Sequence, residues 1–238
     1  MTTATAGDPA VELEQLRFAY GAGPNVLAID ALRIARGETV FLHGSSGSGK
    51  TTLLGLLAGV LRATSGSVKV LGTDFTRMSS GARDSFRAKH LGYVFQMFNL
   101  IPYLSVQENI LLPCRLDATR RERVGSQSLA HAAEEMAEQL DIAQYLHKPV
   151  TQLSVGQQQR VAAARALIGH PEVVIADEPT SALDTDRREA FLKLLFASCT
   201  KAGATLVFVS HDLTLQPLFT RTVSLAHINT ATQSHKAD

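Results

Sequence analysis

The chain has 238 residues, 45% of them hydrophobic, and its 23 Lys and Arg against 22 Asp and Glu leave a formal net charge of +1. That length and apolar content suit one compact unit, or one domain with an inserted subdomain. The balanced charge excludes the broad basic footprint of a nucleic-acid or anionic-membrane binder, and the short basic run 119–123 (TRRER) reads as a solvated face.

In chain order, residues 11–20 and 26–34 are short, partly alternating segments on either side of GAGPN, and they predict an antiparallel hairpin. ETVFLH (38–43) predicts a strand running into a glycine-rich turn, and 50–61 predicts a helix. SGSVKVLG (65–72) predicts another short strand pair or hairpin arm, and LGYVFQ (91–96) a buried strand. From 97 to about 168 the pattern turns helical. Ser105-Val106-Gln107-Glu108 is a capping box, and Leu129, Ala133, Met136, Ala137 and Leu140 share one helical face. A second box, Ser154 with Gln157, heads the alanine-rich VAAARAL (161–167).

VVIAD (173–177) and ATLVFVS (204–210) are continuous apolar runs, as buried parallel strands require. The helix between them is closed by Gly203 as a C-cap, and the polar end 227–238 reads as a tail. No internal repeat appears. Alternating strands and helices with a helical stretch in the middle predict an α/β core carrying a helical insertion.

Cys114 and Cys199 are far apart, without CxxC or zinc spacing, and read as free thiols of a reducing compartment. The first ten residues have neither a basic nor an apolar signal region. The longest apolar run, Leu53–Leu61, is broken by Gly55 and Gly59. It falls far short of the ~20 residues that span a bilayer. The expectation is a soluble, cytoplasmic chain; if it works at a membrane, another chain must bring it there.

Chemistry concentrates in GSSGSGKT (44–51), which matches the phosphate-binding pattern G-x-x-x-x-G-K-[ST] between a predicted strand and a predicted helix. Gly44, Gly47 and Gly49 let the backbone of Ser45, Ser46 and Ser48 wrap phosphates. The helix that begins at Lys50 adds its dipole. Lys50 reaches the β- and γ-phosphates, Thr51 ligates Mg²⁺, and Thr52 completes the segment. Asp177 ends an apolar strand, where a carboxylate faces the ligand crevice of such sheets; it is the candidate Mg²⁺ holder, although a strand-end Asp also caps turns. Glu178, beside it, is placed to orient or deprotonate an attacking water. His211 ends the next strand and points toward the same crevice.

The ordered set of GSSGSGKT, Gln96, LSVGQ (153–157), VVIADE (173–178), SALD (181–184) and His211 resembles the ATP-binding subunit of ABC transporters over residues 10 to 226. The resemblance implies an α/β fold: a P-loop NTPase (RecA-like) core with a mainly parallel sheet, an antiparallel β subdomain and an inserted α-helical subdomain. It implies one domain over 1–238, with the core at 10–96 and 169–226, a helical signature subdomain at 97–168 and a tail at 227–238. It further implies that ATP and Mg²⁺ are the cofactors. Tyr20 stacks on adenine, Gln96 contacts Mg²⁺ or the attacking water, and Asp184 communicates across a dimer. Glu178 is the catalytic base and His211 the γ-phosphate switch. Ser154, Gly156 and Gln157 complete the nucleotide site of a second copy, in a two-fold ATP-sandwich homodimer. This chain has Val155 where the family usually has glycine. Valine avoids positive φ, so an ordinary right-handed helix start is expected there.

FQMFNLIPYLSVQENILLP (95–113) resembles the subgroup of the macrolide exporter MacB and the lipoprotein-release ATPase LolD. That likeness implies a motor for a permease with a large periplasmic domain, peripheral on the cytoplasmic face of the inner membrane. Phe98, Leu100, Ile101 and Pro102 are candidates for the groove that takes the permease's coupling helix, with packing inside the helical subdomain the alternative for each, and an adaptor joins through the permease. The alternative is a regulatory ATPase of the FtsE type, which gates a cell-envelope hydrolase through a non-transporting partner. Soluble repair or translation ATPases of the family are disfavoured, because a long coiled coil or a second ATPase unit does not fit in 238 residues.

Overall fold

The structure, a computed structural model, describes residues 9–125, 128–181 and 183–232. The chain divides into two compact units, one formed by residues up to Asp84 together with those from Val207 onward, the other by Ser85–Leu206. The first unit begins with β1 (Val11–Ala19), β2 (Asn25–Ile34), β3 (Thr39–His43), α1 (Lys50–Leu57), β4 (Ser65–Val70) and β5 (Thr73–Asp74). After α2 (Ser80–His90), the second unit contains β6 (Leu91–Val94), α3 (Val106–Leu116), α4 (Ala118–Glu122), α5 (Leu129–Gln139), α6 (Val155–Leu167), β7 (Val173–Asp177) and α7 (Thr185–Ala202). β8 (Thr205–Val209) returns the chain to the first unit, which closes with β9 (Arg221–Ser224) and α8 (Leu225–Ile228).

In the first unit, β1 and β2 form the expected antiparallel hairpin and extend into a sheet of order β2-β1-β4-β5. Val11, Leu13, Leu16 and Phe18 of β1 are buried, while Glu12 and Glu14 pair with Lys69 at 3.1 and 3.4 Å. The alternation slips at Gln15, which has φ 48, where the β1–β4 register shifts. β3 pairs in parallel with β9, and beneath it the rings of Phe41, Phe208 and Phe219 pack 5.0–6.3 Å apart. Burying each such ring stabilises by about 1.5–3 kcal/mol. The helix predicted over 50–61 stops at Leu57, because the N–H groups of Val60 and Leu61 both turn back to the Gly55 carbonyl. The stretch read as a tail is folded as far as Thr232: α8 leads into a 3₁₀ turn, Thr230–Thr232, and Asn229 is fully buried.

In the second unit, β6 and β7 are parallel, and the strand predicted to reach Gln96 ends at Val94. Both capping boxes form: Ser105 with Glu108 opens α3, and Ser154 with Gln157 opens α6. On α5 the buried stripe is Ala132, Ala133, Met136 and Ala137, followed by Leu140, whereas Leu129 in the first turn is only half-buried. Gly203, at φ 63, closes α7 as predicted, in a conformation that a side chain disfavours.

α6 packs its alanines against β6 so closely that a Cβ on Gly92 would stand 2.3 Å from the Ala166 carbonyl oxygen. The basic run 119–123 is not the solvated face it resembled. Arg120 is 1% exposed, and Arg123, one helical turn on, forks onto Glu172 at 2.8 and 2.7 Å. Arg120 donates through Nη2 to Ala166 O at 3.1 Å, and burial pulls its pKa down to about 10. Among the described residues no helix is long and apolar enough to cross a membrane.

Candidate nucleotide site

In the first unit, β3 ends at His43 and the chain turns directly through Gly44–Gly49 into α1. The local conformation depends on glycine at two points. A Cβ on Gly44 would meet Ser48 Oγ at 2.6 Å, and Gly49, the residue before α1, has φ 97 with Leu27 Cδ2 only 2.7 Å from where a Cβ would be. α1 starts with no side-chain cap and no acidic residue in its first turn. Its leading N–H groups therefore present uncompensated positive charge. Lys50 Nζ donates to the carbonyls of Gly44 and Ser45 at 2.8 and 3.0 Å, which keeps the ammonium over the loop. Ser45, Ser46, Gly47 and Thr51 are exposed, while the buried Ser48 hydroxyl has no hydrogen-bond partner among the described residues. An anion-ready helix start, a glycine cradle and a fixed ammonium fit a nucleotide polyphosphate.

Three further residues of this unit bear on the loop. Tyr20 is 57% exposed, edge-on to Phe18 at 4.8 Å, and its hydroxyl is hydrogen-bonded to that of Thr52 at 3.1 Å. His211 is exposed one residue beyond Ser210, whose N–H donates to Leu42 O in β3 at 3.3 Å. This puts His211 at the edge where β3 enters the glycine loop. Asn229 is the residue the sequence reading missed. Its Nδ2 donates to Ser48 O at 3.3 Å and to Val26 O at 2.9 Å, and its Oδ1 accepts from Ala28 N at 2.8 Å.

In the second unit, the β6–β7 register pairs Val94 with Ala176. Gln96, Asp177 and Glu178 therefore emerge together at one sheet edge. Tyr93, paired with Ile175, lies on that edge; burial, and then the Asp177 charge, push its phenol pKa upward. Glu178 has φ 45, a left-handed conformation in a non-glycine residue. Such backbone costs of the order of 1–3 kcal/mol and persists only where surroundings hold it. Asp184 caps α7, accepting from Arg187 N at 3.0 Å.

Ser154 is exposed at the start of α6, and Val155 is 48% exposed without positive φ, as its side chain requires. Gly156 is partly exposed, with only Leu183 Cδ2 near its Cβ direction, at 3.7 Å. Ser154, Gly156 and Gln157 line a cleft of about 280 Å³ together with Tyr145, Arg160 and Arg187. Beyond Gln96, Phe98 is buried rather than groove-facing, and Met97 and Tyr103 are exposed by 80% and 83%.

Two α6 residues hold these turns from behind, and neither was singled out from the sequence. Gln159 donates to Pro179 O, and Arg165 donates to Phe98 O and Asn99 O at 2.6 and 2.7 Å. Helical spacing carried the signal for Gln159: it precedes the buried Ala162, Ala163 and Ala166 by three, four and seven residues. Among the described residues no group of three or more His, Cys, Asp or Glu gathers as a metal site.

The chain is similar to known proteins. A family profile described as ABC transporter matches residues 28–181. The "uncharacterized ABC transporter ATP-binding protein YbbA" of Escherichia coli K12 is 43% identical over 210 residues, covering 86% of this chain and 89% of that one. The lipoprotein-releasing system ATP-binding protein LolD of Anaeromyxobacter dehalogenans is 39% identical, covering 91% and 90%. The ATP-binding cassette MJ0796, solved as a dimer in a post-hydrolysis state with ADP and Pi, superposes with TM-score 0.78 at 32% identity over 90% of this chain and 93% of that one.

Proposed function

The chain belongs to the ABC transporter family of ATP hydrolases, in the MacB/LolD subgroup, and we propose that it is the motor of a permease that exports or extracts a substrate from the inner membrane. The observation that carries this reading is the glycine loop leading into an uncapped, acid-free helix start, with Lys50 bonded across the loop. Gly44–Thr52 bind the triphosphate. Thr51, Gln96 and Asp177 are the residues that would hold Mg²⁺, which would supply charge neutralisation to the phosphates. Glu178 takes the proton of the attacking water, His211 contacts the γ-phosphate, and Tyr20 stacks on adenine.

Ser154, Gly156 and Gln157 serve the nucleotide of a second copy in a head-to-tail sandwich, across which Asp184 communicates. The exposed, capped start of α6 supports this role, since its hydroxyl and leading N–H groups face outward. The permease's coupling helix docks on the segment after Gln96, where Met97, Pro102 and Tyr103 are exposed. The chain is then peripheral at the cytoplasmic face, and an adaptor joins through the permease.

Glu178→Gln tests the reading. It should bind ATP, hydrolyse it at least about a hundredfold more slowly than wild type, and accumulate as an ATP-bound dimer by light scattering. Wild-type turnover would remove Glu178 as the base. A variant that stays monomeric when saturated with ATP would remove the sandwich.

A further inference from the structure

Gln159 is fully buried in the second turn of α6. Its Nε2 donates to the Pro179 carbonyl, and its Oε1 has no partner among the described residues. Core packing alone does not call for an amide here. An apolar side chain of the same length would fill the space without leaving a buried acceptor unmade.

The turn that receives this bond needs support. Glu178 has φ 45 and precedes a proline, whereas a pre-proline residue is pushed toward extended backbone. Inside the turn, Ser181 N donates to Glu178 O and Leu183 N to Thr180 O, each at 3.2 Å. Neither bond involves Pro179. Among the described residues, its carbonyl is held by Gln159. The same helix begins at Ser154, five residues earlier.

We propose that Gln159 is a positioning residue for Glu178: its buried amide ties α6 to the turn that aims the carboxylate. The helix whose start serves the partner's nucleotide thus also sets the base of its own chain. This rests on the reading of Glu178 as the base and of Ser154 as acting on a second copy. The consequence is coupling between the two nucleotides of the dimer: a shift of α6 at one reaches the general base used at the other.

The test is Gln159→Met, which keeps length and removes the donor. Methionine removes the bond to the Pro179 carbonyl but also removes the unmade Oε1, so the two effects on stability oppose each other. The melting temperature is expected to hold within about 3 °C. The ATPase kcat should fall about tenfold or more while KM changes less than about twofold, the pattern of lost transition-state geometry. Amide exchange at Ser181 and Leu183 should quicken. In a Glu178→Gln background the same substitution should cost no further rate, because the group it positions is already absent. Gln159→Leu also removes the donor, and it must lose kcat as well.

Wild-type kcat in Gln159→Met overturns the proposal, as does a loss fully additive with Glu178→Gln. A parallel fall in melting temperature and in ATP affinity also overturns it, since that marks a merely structural contact. If Glu178→Gln alone retains turnover, the underlying reading fails instead, and the two failures are separable.

Discussion

Asn229→Ala should weaken nucleotide binding from a segment that looks dispensable in the sequence. Among the described residues, the Asn229 side chain has these four hydrogen bonds: to Ala28 N at 2.8 Å, Val26 O at 2.9 Å, Ala231 N at 3.2 Å and Ser48 O at 3.3 Å. The residue is 0% exposed, so alanine leaves donors and acceptors that water cannot easily reach. At about 1 kcal/mol for each bond, with part recovered by relaxation, the expected loss is about 2–4 kcal/mol. Its backbone N–H, bonded to Leu225 O at 2.8 Å, survives the change, so α8 itself should persist.

For a chain of this length such a loss lowers the melting temperature by about 5–10 °C. Because Ser48 O is one of the four partners, the glycine loop loosens with it. A fluorescent ATP analogue should bind about threefold to tenfold more weakly to the folded protein, about 1 kcal/mol. Urea melts with and without nucleotide, read alongside the binding titration, measure both. A shift below about 0.5 kcal/mol with unchanged affinity would refute the argument, because surface substitutions typically fall in that range.

Other substitutions separate chemistry from stability. Among the described residues Lys50 Nζ bonds two loop carbonyls, so Lys50→Ala should lose ATP turnover while stability from urea unfolding changes by less than about 1 kcal/mol; wild-type turnover and affinity would sink the loop assignment. Val155→Gly frees a backbone that already has ordinary φ. It should cost about 0.5–1 kcal/mol of stability and leave ATP turnover within a few-fold of wild type; complete loss of turnover would show that the isopropyl group is itself required.

Glu172 gives a pH-dependent case. Burial alone would raise its carboxyl pKa, but the hydrogen bonds and charges of His90 and Arg123 outweigh it and bring the value from 4.5 to about 2. That difference is nominally ~3 kcal/mol, and solvent screening of a half-exposed group reduces it to about 1–2 kcal/mol. A depressed carboxylate stabilises above its unfolded pKa and loses that contribution as pH falls through the folded one. The stability gap between wild type and Glu172→Gln should therefore be full at pH 7 and close between pH ~4.5 and ~2. A gap that is unchanged at pH 3 would contradict it.

What the sequence disclosed and what it hid follow from the range of the interactions concerned. Both capping boxes were legible because three residues of spacing contain the whole device. The glycine loop, the Gly203 cap and the apolar runs of β7 and β8 are equally local. Arg120 and Asn229 were misjudged because polarity is a poor guide where a distant segment supplies the partner. Arg120 is covered by the end of α6, 46 residues away, and Asn229 by Val26 and Ala28, 203 and 201 residues away. For Phe98 the sequence leaves groove and interior open, because an apolar run does not reveal which residue turns inward; in the structure it is buried, with left-handed backbone and its carbonyl bonded to Arg165.

The tight seat of Ala166 has a mechanical meaning. Its carbonyl is wedged against Gly92 and bonded to the buried Arg120, so the far end of α6 is a fulcrum rather than a sliding contact. At 1.5 Å per residue, Ser154 is about 18 Å from that pivot and Gln159 about 10 Å. A tilt of about 3° there swings Ser154 by about 1 Å and Gln159 by a little over half as much, and displacements near 1 Å are enough to change enzymatic rates about a hundredfold. A helix that pivots there is a lever of fixed ratio, with its gearing set by one glycine and one arginine.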